Sequence, residues 1–253
     1  MDAAQWYLQL DGLKPDQILE NRLVAGHSES RSGKREASLS RGTEAQGDGL
    51  AAFLDATAAG TPAPGGGSVS ALAGALAAAL AAMVARLTVG KPKYADVEAR
   101  MQAVISQAES LRARLMTAIE SDSAAFDAVM AAIKQPKGTD EEKAARQVAV
   151  QVAALDAALV PLETARLSLQ ALELALVVAQ VGNVSSMTDA AVAGWMARAA
   201  VEGAGLNVRV NVASLTDQAQ ARALLDELAT LRSRAAELAD QVVSSAEQRG
   251  KLP

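Results

Sequence analysis

Cysteine is absent from this chain of 253 residues, and histidine occurs once. Without cysteine there are no disulfides, no thiolate nucleophiles and no cysteine-based zinc sites. The single histidine, His27, lies in a polar, low-complexity stretch, so we expect neither a Ser-His-Asp relay nor a histidine metal cluster. The sequence therefore predicts a cytoplasmic protein without a cysteine- or histidine-based metal site.

Aromatic residues are almost as scarce, at 2% of the chain, although half of all residues are apolar. A core of this composition must be built from small side chains on closely approaching helices. Concentrated positive charge is also missing: the net charge is -5, and the basic residues are scattered among acidic ones. We therefore expect an all-α protein that does not bind nucleic acid. The amino terminus has no apolar run of the signal-peptide type, so no export is expected.

Composition divides the chain into three parts. Residues 1–25 mix apolar and polar side chains but are too few to fold alone. Residues 26–49 are rich in Ser, Gly and both charge signs, which predicts a flexible linker. Residues 50–253 carry long helical patterns and form the predicted working domain.

Within this domain, residues 68–89 are nearly uninterrupted Ala, Leu, Val and Met, long enough to cross a bilayer. Alanine and glycine supply little transfer energy, however, so we interpret the segment as the buried central helix of a bundle and expect no membrane association. Further helices are predicted over 94–134, 140–181 with Pro161 either kinking the helix or starting a new one, about 188–203, and 217–248. Residues 206–212 alternate polar and apolar side chains, which predicts an extended connector. The expected fold is a bundle of long antiparallel helices around an Ala-rich centre.

Asp122 is the most informative single position. It falls on the apolar stripe of the helix predicted over 94–134, between Ala118 and Ala125. A carboxylate on a buried stripe loses hydration, which raises its pKa unless a cation or several donors offset the loss, and such tuning suits a proton-transfer group. A structural carboxylate that caps or pairs with another helix is the alternative.

Four further features are candidates for binding. The turn formed by Gly65, Gly66, Gly67 and Ser68 precedes a helix, where free backbone N–H groups can face an anion. Close backbone packing with Ser68 as helix cap explains the same pattern equally well. Lys137 follows a helix end, while Asn183 and Asp189 bracket a junction between helices. Solvated charge explains Lys137 without a ligand, and capping explains the other two.

Several segments resemble one known family. These are TPAPGGGSVSALAGALAAALAAMVARLTVGKPKY at 61–94, DSAAFDAVMAAIKQPKGTDEEK at 122–143, VPLETA at 160–165 and GNVSSMTDAAVAGWMARAAVEGAGLNVRVN at 182–211. In this order they are similar to the C-terminal domain of formiminotransferase-cyclodeaminases. That family includes formiminotetrahydrofolate cyclodeaminases and methenyltetrahydrofolate cyclohydrolases, which are all-helical, metal-free and typically dimeric.

The resemblance implies a folate substrate, no cofactor besides that substrate, a homodimer or higher homo-oligomer, and Asp122 as the acidic proton acceptor. It also implies that Gly65 to Ser68, Lys137, Asn183 and Asp189 border the folate pocket. The sequence departs from many relatives just after Asn183, where it reads Val184-Ser185-Ser186. Because of this departure, the sequence does not determine the preferred substrate. It also does not determine whether polyglutamylated folate is preferred.

The amino-terminal AAQWYLQLDGLKPDQILENRL resembles the end of a glutamate formiminotransferase domain. This favours a cyclodeaminase that converts 5-formiminotetrahydrofolate to 5,10-methenyltetrahydrofolate and ammonia in histidine degradation, with a formiminotransferase as partner. A methenyltetrahydrofolate cyclohydrolase is the nearest alternative. A non-catalytic subunit that channels folate is a further one.

Overall fold

The computed structural model describes residues 49–251, and the expectations for residues 1–48, the tail and most of the linker, lie outside this range. The chain separates into two units, Met1–Leu54 and Asp55–Pro253. Within the described range there are six α-helices, two 3-10 helices and no strand. The α-helices are α1 (Gly49–Ala58), α2 (Gly66–Arg86), α3 (Glu98–Ile133), α4 (Asp140–Val181), α5 (Met187–Val212) and α6 (Gln218–Gly250). The 3-10 helices are Pro92–Val97 and Val184–Ser186. The predicted all-α fold is confirmed.

Sequential helices from α2 to α6 run antiparallel. Helix α2 packs between α3 and α5 with α4 behind it, while α6 packs on the far side against α4 and α5. Two ion pairs connect neighbouring helices in this arrangement. Arg114 of α3 pairs with Glu163 of α4, and Arg232 of α6 pairs with Glu202 of α5. Helix α2 is thus the Ala-rich centre that the sequence predicted, covered on three sides.

Small side chains allow these helices to approach closely. A Cβ atom added at Gly74 would overlap the Ser168 hydroxyl of α4, and one at Gly203 would overlap the Ser70 hydroxyl of α2. Alanine supplies most of the buried side chains where α2 meets its neighbours. Because the core contains small side chains in place of aromatic rings, the helix axes can lie a short distance apart.

Local signals fix several helix ends. Helix α4 begins with a capping box in which Thr139 Oγ1 accepts from the Glu142 N–H at 3.2 Å and Glu142 Oε2 accepts from the Thr139 N–H at 3.1 Å. Helix α6 begins at Asp217, whose Oδ1 accepts from the Gln220 N–H at 3.0 Å. The predicted bounds of both helices agree with the structure to within two residues.

One sequence expectation about the helices is wrong. Helix α5 continues through residues 206–212, where an extended connector was predicted, because Val208 and Val212 lie one helical turn apart and are both buried. Alternating valines fit a strand locally, but packing against α4 and α6 favours the helix. Helix α4 is continuous across the buried Pro161, which excludes the start of a new helix there, one of the two outcomes expected for this proline.

Helices α2 and α4 are long and apolar enough to cross a membrane by length and composition alone. In the protein, 61% of the apolar window of α2 and 39% of that of α4 is buried against other helices. Core helices of bundles pass the same test of composition.

Candidate active site

Asp122 meets the first turn of α2. Ser68 Oγ lies 3.0 Å from Asp122 Oδ2 and 3.1 Å from the carbonyl oxygen of Ile119, so its single proton is shared between two acceptors. Ser68 is fully buried, whereas Asp122 is half-buried and borders a cavity. Two residues that are 54 positions apart in sequence are thus in direct contact.

The glycine turn gives the carboxylate room to reach the helix end. Gly65 is the N-cap residue, and the first helical hydrogen bond runs from the Val69 N–H to the Gly65 carbonyl at 3.0 Å. The N–H groups of Gly66, Gly67 and Ser68 therefore have no partner within the helix, and the positive end of the helix dipole attracts negative charge there. Ser68 is not the helix cap that the sequence allows, because it lies inside the first turn and its hydroxyl donates to Asp122 instead.

A cavity of about 240 Å³ opens at this end of α2, between α3, α4 and α5. Its lining residues are Pro62, Ala63, Gly65, Gly66, Gly67, Asp122, Ala125, Phe126, Val129, Ala157, Asn207 and Asn211. Asp122 is the only charged side chain among these lining residues. The cavity can therefore present one carboxylate, several backbone N–H groups and two amides to a ligand in otherwise apolar surroundings.

Sequence reasoning missed Asn207 and Asn211, because both fall in the segment predicted as an extended connector. They stand one turn apart on α5 and line the same wall of the cavity. Asn207 Nδ2 donates to the Gly203 carbonyl at 3.0 Å, and Asn211 Nδ2 donates to the Ala157 carbonyl of α4 at 2.5 Å. Their spacing of four residues was the available signal for a helix with a polar face.

Asn183 lies at the other end of α2. Its backbone N–H donates to Thr88 Oγ1 at 2.8 Å, and its Nδ2 donates to the Leu87 carbonyl at 3.2 Å. Its Oδ1 also accepts from the Ser185 N–H at 3.2 Å, so the capping interpretation is confirmed for this residue. At 1.5 Å per residue, the length of α2 puts this junction about 30 Å from Gly67.

Asp189 is also remote from the cavity within one chain, and Lys137 is not among the residues that line it. Asp189 lies in the first turn of α5, next to the Asn183 junction, where a carboxylate complements the helix dipole. Lys137 is exposed in the turn between α3 and α4 and lines a separate cavity of about 370 Å³, together with Lys143 and Arg146. The structure thus brings together Asp122 and the glycine turn but none of the other three candidates.

Comparison with known proteins identifies relatives over most of the described chain. The sequence pattern of the family described as formiminotransferase-cyclodeaminase matches residues 49–230. A methenyltetrahydrofolate cyclohydrolase from Methylorubrum extorquens is 42% identical over 190 residues, which are 75% of this chain and 91% of that protein. The formimidoyltransferase-cyclodeaminase of Rattus norvegicus is 35% identical over 200 residues, which are 79% of this chain but 37% of that protein.

A solved structure has the same arrangement of helices. The crystal structure of formiminotetrahydrofolate cyclodeaminase from Thermotoga maritima superimposes with a TM-score of 0.70 at 30% sequence identity. The match covers 78% of this chain and 94% of that one. Sequence and fold therefore point to the same set of relatives.

Proposed function

The chain belongs to the formiminotransferase-cyclodeaminase family, whose members process folate one-carbon intermediates, and we propose that it is a formiminotetrahydrofolate cyclodeaminase. The reaction converts 5-formiminotetrahydrofolate to 5,10-methenyltetrahydrofolate and ammonia, as a step of histidine degradation. One observation carries the proposal: Asp122, bonded to the buried Ser68, is the single charged side chain of the cavity at the start of α2.

The reaction needs a group that takes up one proton and returns it to another nitrogen. N10 of the folate attacks the carbon of the protonated formimino group, a new C–N bond forms, and the electron pair of the C=NH₂⁺ bond moves to the formimino nitrogen, which becomes a neutral amine. Asp122 accepts the proton that N10 loses and delivers a proton to the former formimino nitrogen. That C–N bond then breaks, ammonia leaves, and the lone pair of N5 completes the methenyl bridge. Proton transfer by a positioned side chain contributes about 10² to 10⁴ in rate.

The surroundings of Asp122 support this role. The Ser68 hydroxyl bonds to Oδ2 and so fixes the orientation of the carboxylate. Apolar lining residues such as Ala125, Phe126 and Val129 keep water away from the reacting atoms. Holding N10 beside the formimino carbon in this small space makes ring closure effectively unimolecular, which can remove several kcal/mol from the barrier.

Cyclohydrolase activity on 5,10-methenyltetrahydrofolate is the second candidate. It is favoured by the 42% identity to the Methylorubrum extorquens cyclohydrolase, which this chain covers almost entirely. The resemblance of residues 3–23 to the end of a glutamate formiminotransferase favours the deaminase. A proton acceptor at Asp122 suits both reactions, since a water molecule can take the place of N10 as the group that loses a proton.

The test is to assay one preparation with both substrates. The methenyl compound is followed by its absorbance, and release of ammonia marks only the deaminase. We expect Asp122→Asn to lower kcat by about 10² to 10⁴ while the protein stays folded. Asp127→Asn, an exposed carboxylate on the same helix outside the cavity, is the matched control and should retain full activity. Full turnover by Asp122→Asn would refute the proposed role.

The proposal includes no metal and no cofactor besides tetrahydrofolate, so prolonged dialysis against EDTA should leave the rate unchanged. It also includes a cytoplasmic location, a homo-oligomer and a formiminotransferase as functional partner. A non-catalytic folate-channelling subunit is the alternative outside enzymology. That alternative predicts no turnover of either substrate together with folate binding in a calorimetric titration.

A further inference from the structure

Pro161 leaves one backbone carbonyl of α4 without its helical partner. In an α-helix each carbonyl accepts from the N–H four residues further along, and proline has no N–H to donate. The carbonyl of Ala157 therefore receives no bond from position 161, although α4 is continuous there. A proline ring also crowds the carbonyl four residues before it, which tilts such a carbonyl away from the helix axis. Ala157 lines the cavity, so the free carbonyl belongs to the cavity wall.

Asn211 of α5 supplies the missing donor. Its Nδ2 lies 2.5 Å from the Ala157 carbonyl oxygen, and this bond joins α5 to α4. A carbonyl without a partner inside a protein costs free energy, so Asn211 stabilises the interruption that Pro161 creates. Only the nitrogen of an amide can donate to a carbonyl, and the bond therefore fixes which way round the amide lies. The Oδ1 atom of Asn211 remains as an acceptor.

Asn207 is held in the same manner one helical turn earlier. Its Nδ2 donates to the Gly203 carbonyl at 3.0 Å, so its oxygen is again the free atom. Within residues 49–251 no group donates to the Oδ1 atom of either asparagine, and only Ser168 Oγ is a fully buried side-chain atom without a partner. Both Oδ1 atoms are therefore accessible, and the two residues line the same cavity.

The two asparagines and Asp122 approach the first turn of α2 from different helices. Asp122 packs against Gly67 from α3, whereas Asn207 Nδ2 comes within 3.5 Å of a Cβ atom added at Gly66 from α5. Asn211 is one turn further along α5, in contact with α4, and is the more distant of the two asparagines from this turn. A ligand in the cavity thus meets a carboxylate on one side and two amide oxygens on another.

Two neighbouring acceptors suit a ligand that has two donors on one edge. A reduced pterin has such an edge, because its 2-amino group and its N8–H flank the ring nitrogen N1. The opposite edge of the ring system carries N5, the atom that bears the one-carbon group. At about 240 Å³ the cavity is smaller than the pockets of about 300–1,000 Å³ that enclose larger ligands, so it fits the ring system rather than a whole folate.

We propose, as an inference that rests on the proposed function, that Asn207 and Asn211 recognise the pterin ring of the substrate and that Pro161 is a positioning residue for Asn211. Asn207 Oδ1 accepts from N8–H, and Asn211 Oδ1 accepts from the 2-amino group. Of these two donors N8 is the closer to N5, just as Asn207 is the closer to the first turn of α2. The edge with N5 and the one-carbon group then faces Asp122.

Calorimetric titration with three reduced folates tests these contacts. The reference ligand is 5-formyltetrahydrofolate, which carries both donors. One analogue has a methyl group in place of the 2-amino group, and the other has a methylene group in place of N8–H. The wild-type protein should bind each analogue about ten-fold more weakly, because an acceptor in the cavity is left without its donor. Equal affinity for all three ligands would overturn the proposal.

Two variants assign each donor to its acceptor. Asn211→Leu should bind the reference ligand and the 2-methyl analogue equally, yet still bind the 8-deaza analogue about ten-fold more weakly. Asn207→Leu should show the reverse pattern. Gln151→Leu is the matched control, because Gln151 also joins α4 to the chain at the end of α5, through Ser214 and Thr216, but does not line the cavity. The control should discriminate as the wild type does, and the same loss of discrimination in all three variants would overturn the proposal.

Pro161→Ala tests the positioning role and also serves if Asn211→Leu does not fold. Alanine is favoured in a helix interior, and it gives the Ala157 carbonyl its helical partner, so Asn211 is no longer held in one orientation. Discrimination against the 2-methyl analogue should disappear, while discrimination against the 8-deaza analogue should remain. KM should rise about ten-fold with kcat changed less than about two-fold, because the ring is bound alike in the ground state and the transition state.

Thr164→Val is the control for Pro161→Ala. Thr164 is buried on the same helix, its hydroxyl donates to the Val160 carbonyl at 3.3 Å, and it does not line the cavity. This control should keep the wild-type discrimination against both analogues. Full discrimination against the 2-methyl analogue in Pro161→Ala would show that Asn211 is oriented without the proline, and the positioning role would be wrong.

These measurements also separate this inference from the proposed function. Turnover of a folate by a wild-type protein that does not discriminate between the three ligands would leave the proposed function standing and overturn the inference. Discrimination without turnover of either substrate would support recognition of the ring and refute the proposed catalysis. A wild-type protein that binds none of the three ligands would overturn both.

Discussion

The carboxylate of Asp122 fills the space that a side chain at position 67 would need. A Cβ atom added to Gly67 would lie well inside van der Waals contact with Asp122 Oδ1, Cγ and Oδ2. Glycine at 67 and aspartate at 122 are therefore a matched pair, and the close approach of the carboxylate to the start of α2 depends on both.

Gly67→Ala should displace the Asp122 carboxylate and lower kcat by about 10² or more, since a shift of about 1 Å at a reacting group can cost that much. Alanine normally stabilises a helix by about 0.5–1 kcal/mol relative to glycine, so a loss of thermal stability would show that the overlap outweighs helix propensity. Steady-state kinetics and thermal unfolding measure the two effects. Gly60→Ala, at a position with open space around it, is the control. Unchanged kinetics in Gly67→Ala would contradict the geometry.

Ser68→Ala removes the hydroxyl that bonds to Asp122 and to the Ile119 carbonyl. We expect a loss of about 1 kcal/mol in the free energy of unfolding, because the hydrogen bond that the buried hydroxyl shares between Asp122 and the Ile119 carbonyl is lost. We also expect a lower kcat, because the carboxylate is less firmly oriented. Ser70→Ala loses a hydrogen bond within α2, from Ser70 Oγ to the Gly66 carbonyl, and serves as the control for stability alone. Equal kinetics in both variants would argue against a role for Ser68 in orienting Asp122.

Thr88→Val should destabilise the opposite end of the bundle. Thr88 is completely buried, accepts from the Asn183 N–H at 2.8 Å and donates to the Val84 carbonyl at 2.7 Å. Valine has the same shape but leaves the Asn183 N–H without a partner, which costs about 1–3 kcal/mol. Urea unfolding gives this value directly. Thr117→Val is the control, because its hydroxyl makes a single long bond within an exposed part of α3. Ordinary surface substitutions change the free energy of unfolding by up to about 0.5 kcal/mol. A change no larger than this in Thr88→Val would mean that water replaces the hydroxyl as the partner of the Asn183 N–H.

The ion pair between Arg166 and Glu227 should make stability depend on pH. Arg166 Nε and Nη2 donate to the two carboxylate oxygens of Glu227 at 2.6 and 2.8 Å, and this pairing lowers the pKa of Glu227 below its ordinary value. A lowered folded pKa means that the contribution is fully present above the unfolded pKa of about 4.3 and is lost as the pH falls toward the folded value.

Glu227→Gln should therefore cost about 0.5–1 kcal/mol at pH 7, a value reduced by the partial exposure of both side chains, and progressively less below about pH 4. Chemical unfolding at a series of pH values measures the difference. Glu237→Gln, on the same helix in a more exposed pair, is the control. A stability difference that persists unchanged at pH 3 would rule out this linkage.

Much of the fold could be predicted from periodicity. The bounds of α4 and α6, the Ala-rich centre and the inward-facing position of Asp122 all follow from apolar spacing and from the signals at helix ends. Residues 206–212 could not be assigned in this way, because alternating valines satisfy a strand pattern locally. This segment is helical because Val208 and Val212 are buried against neighbouring helices. The helix in turn places Asn207 and Asn211 in the wall of the cavity.

By itself, the sequence determined that the protein is helical, that α2 is its apolar centre and that Asp122 lies on the face of α3 turned toward the other helices. Only the tertiary structure decided which end of α2 each candidate occupies. It places Asp122 next to Gly67, whereas Asn183 lies about 30 Å away, next to Thr88. The physical reason is that helical periodicity encodes the direction in which a side chain points around its own axis. The partner that it meets depends on how whole helices pack and in what register, and this is set by the close contacts of small residues distributed along the entire bundle.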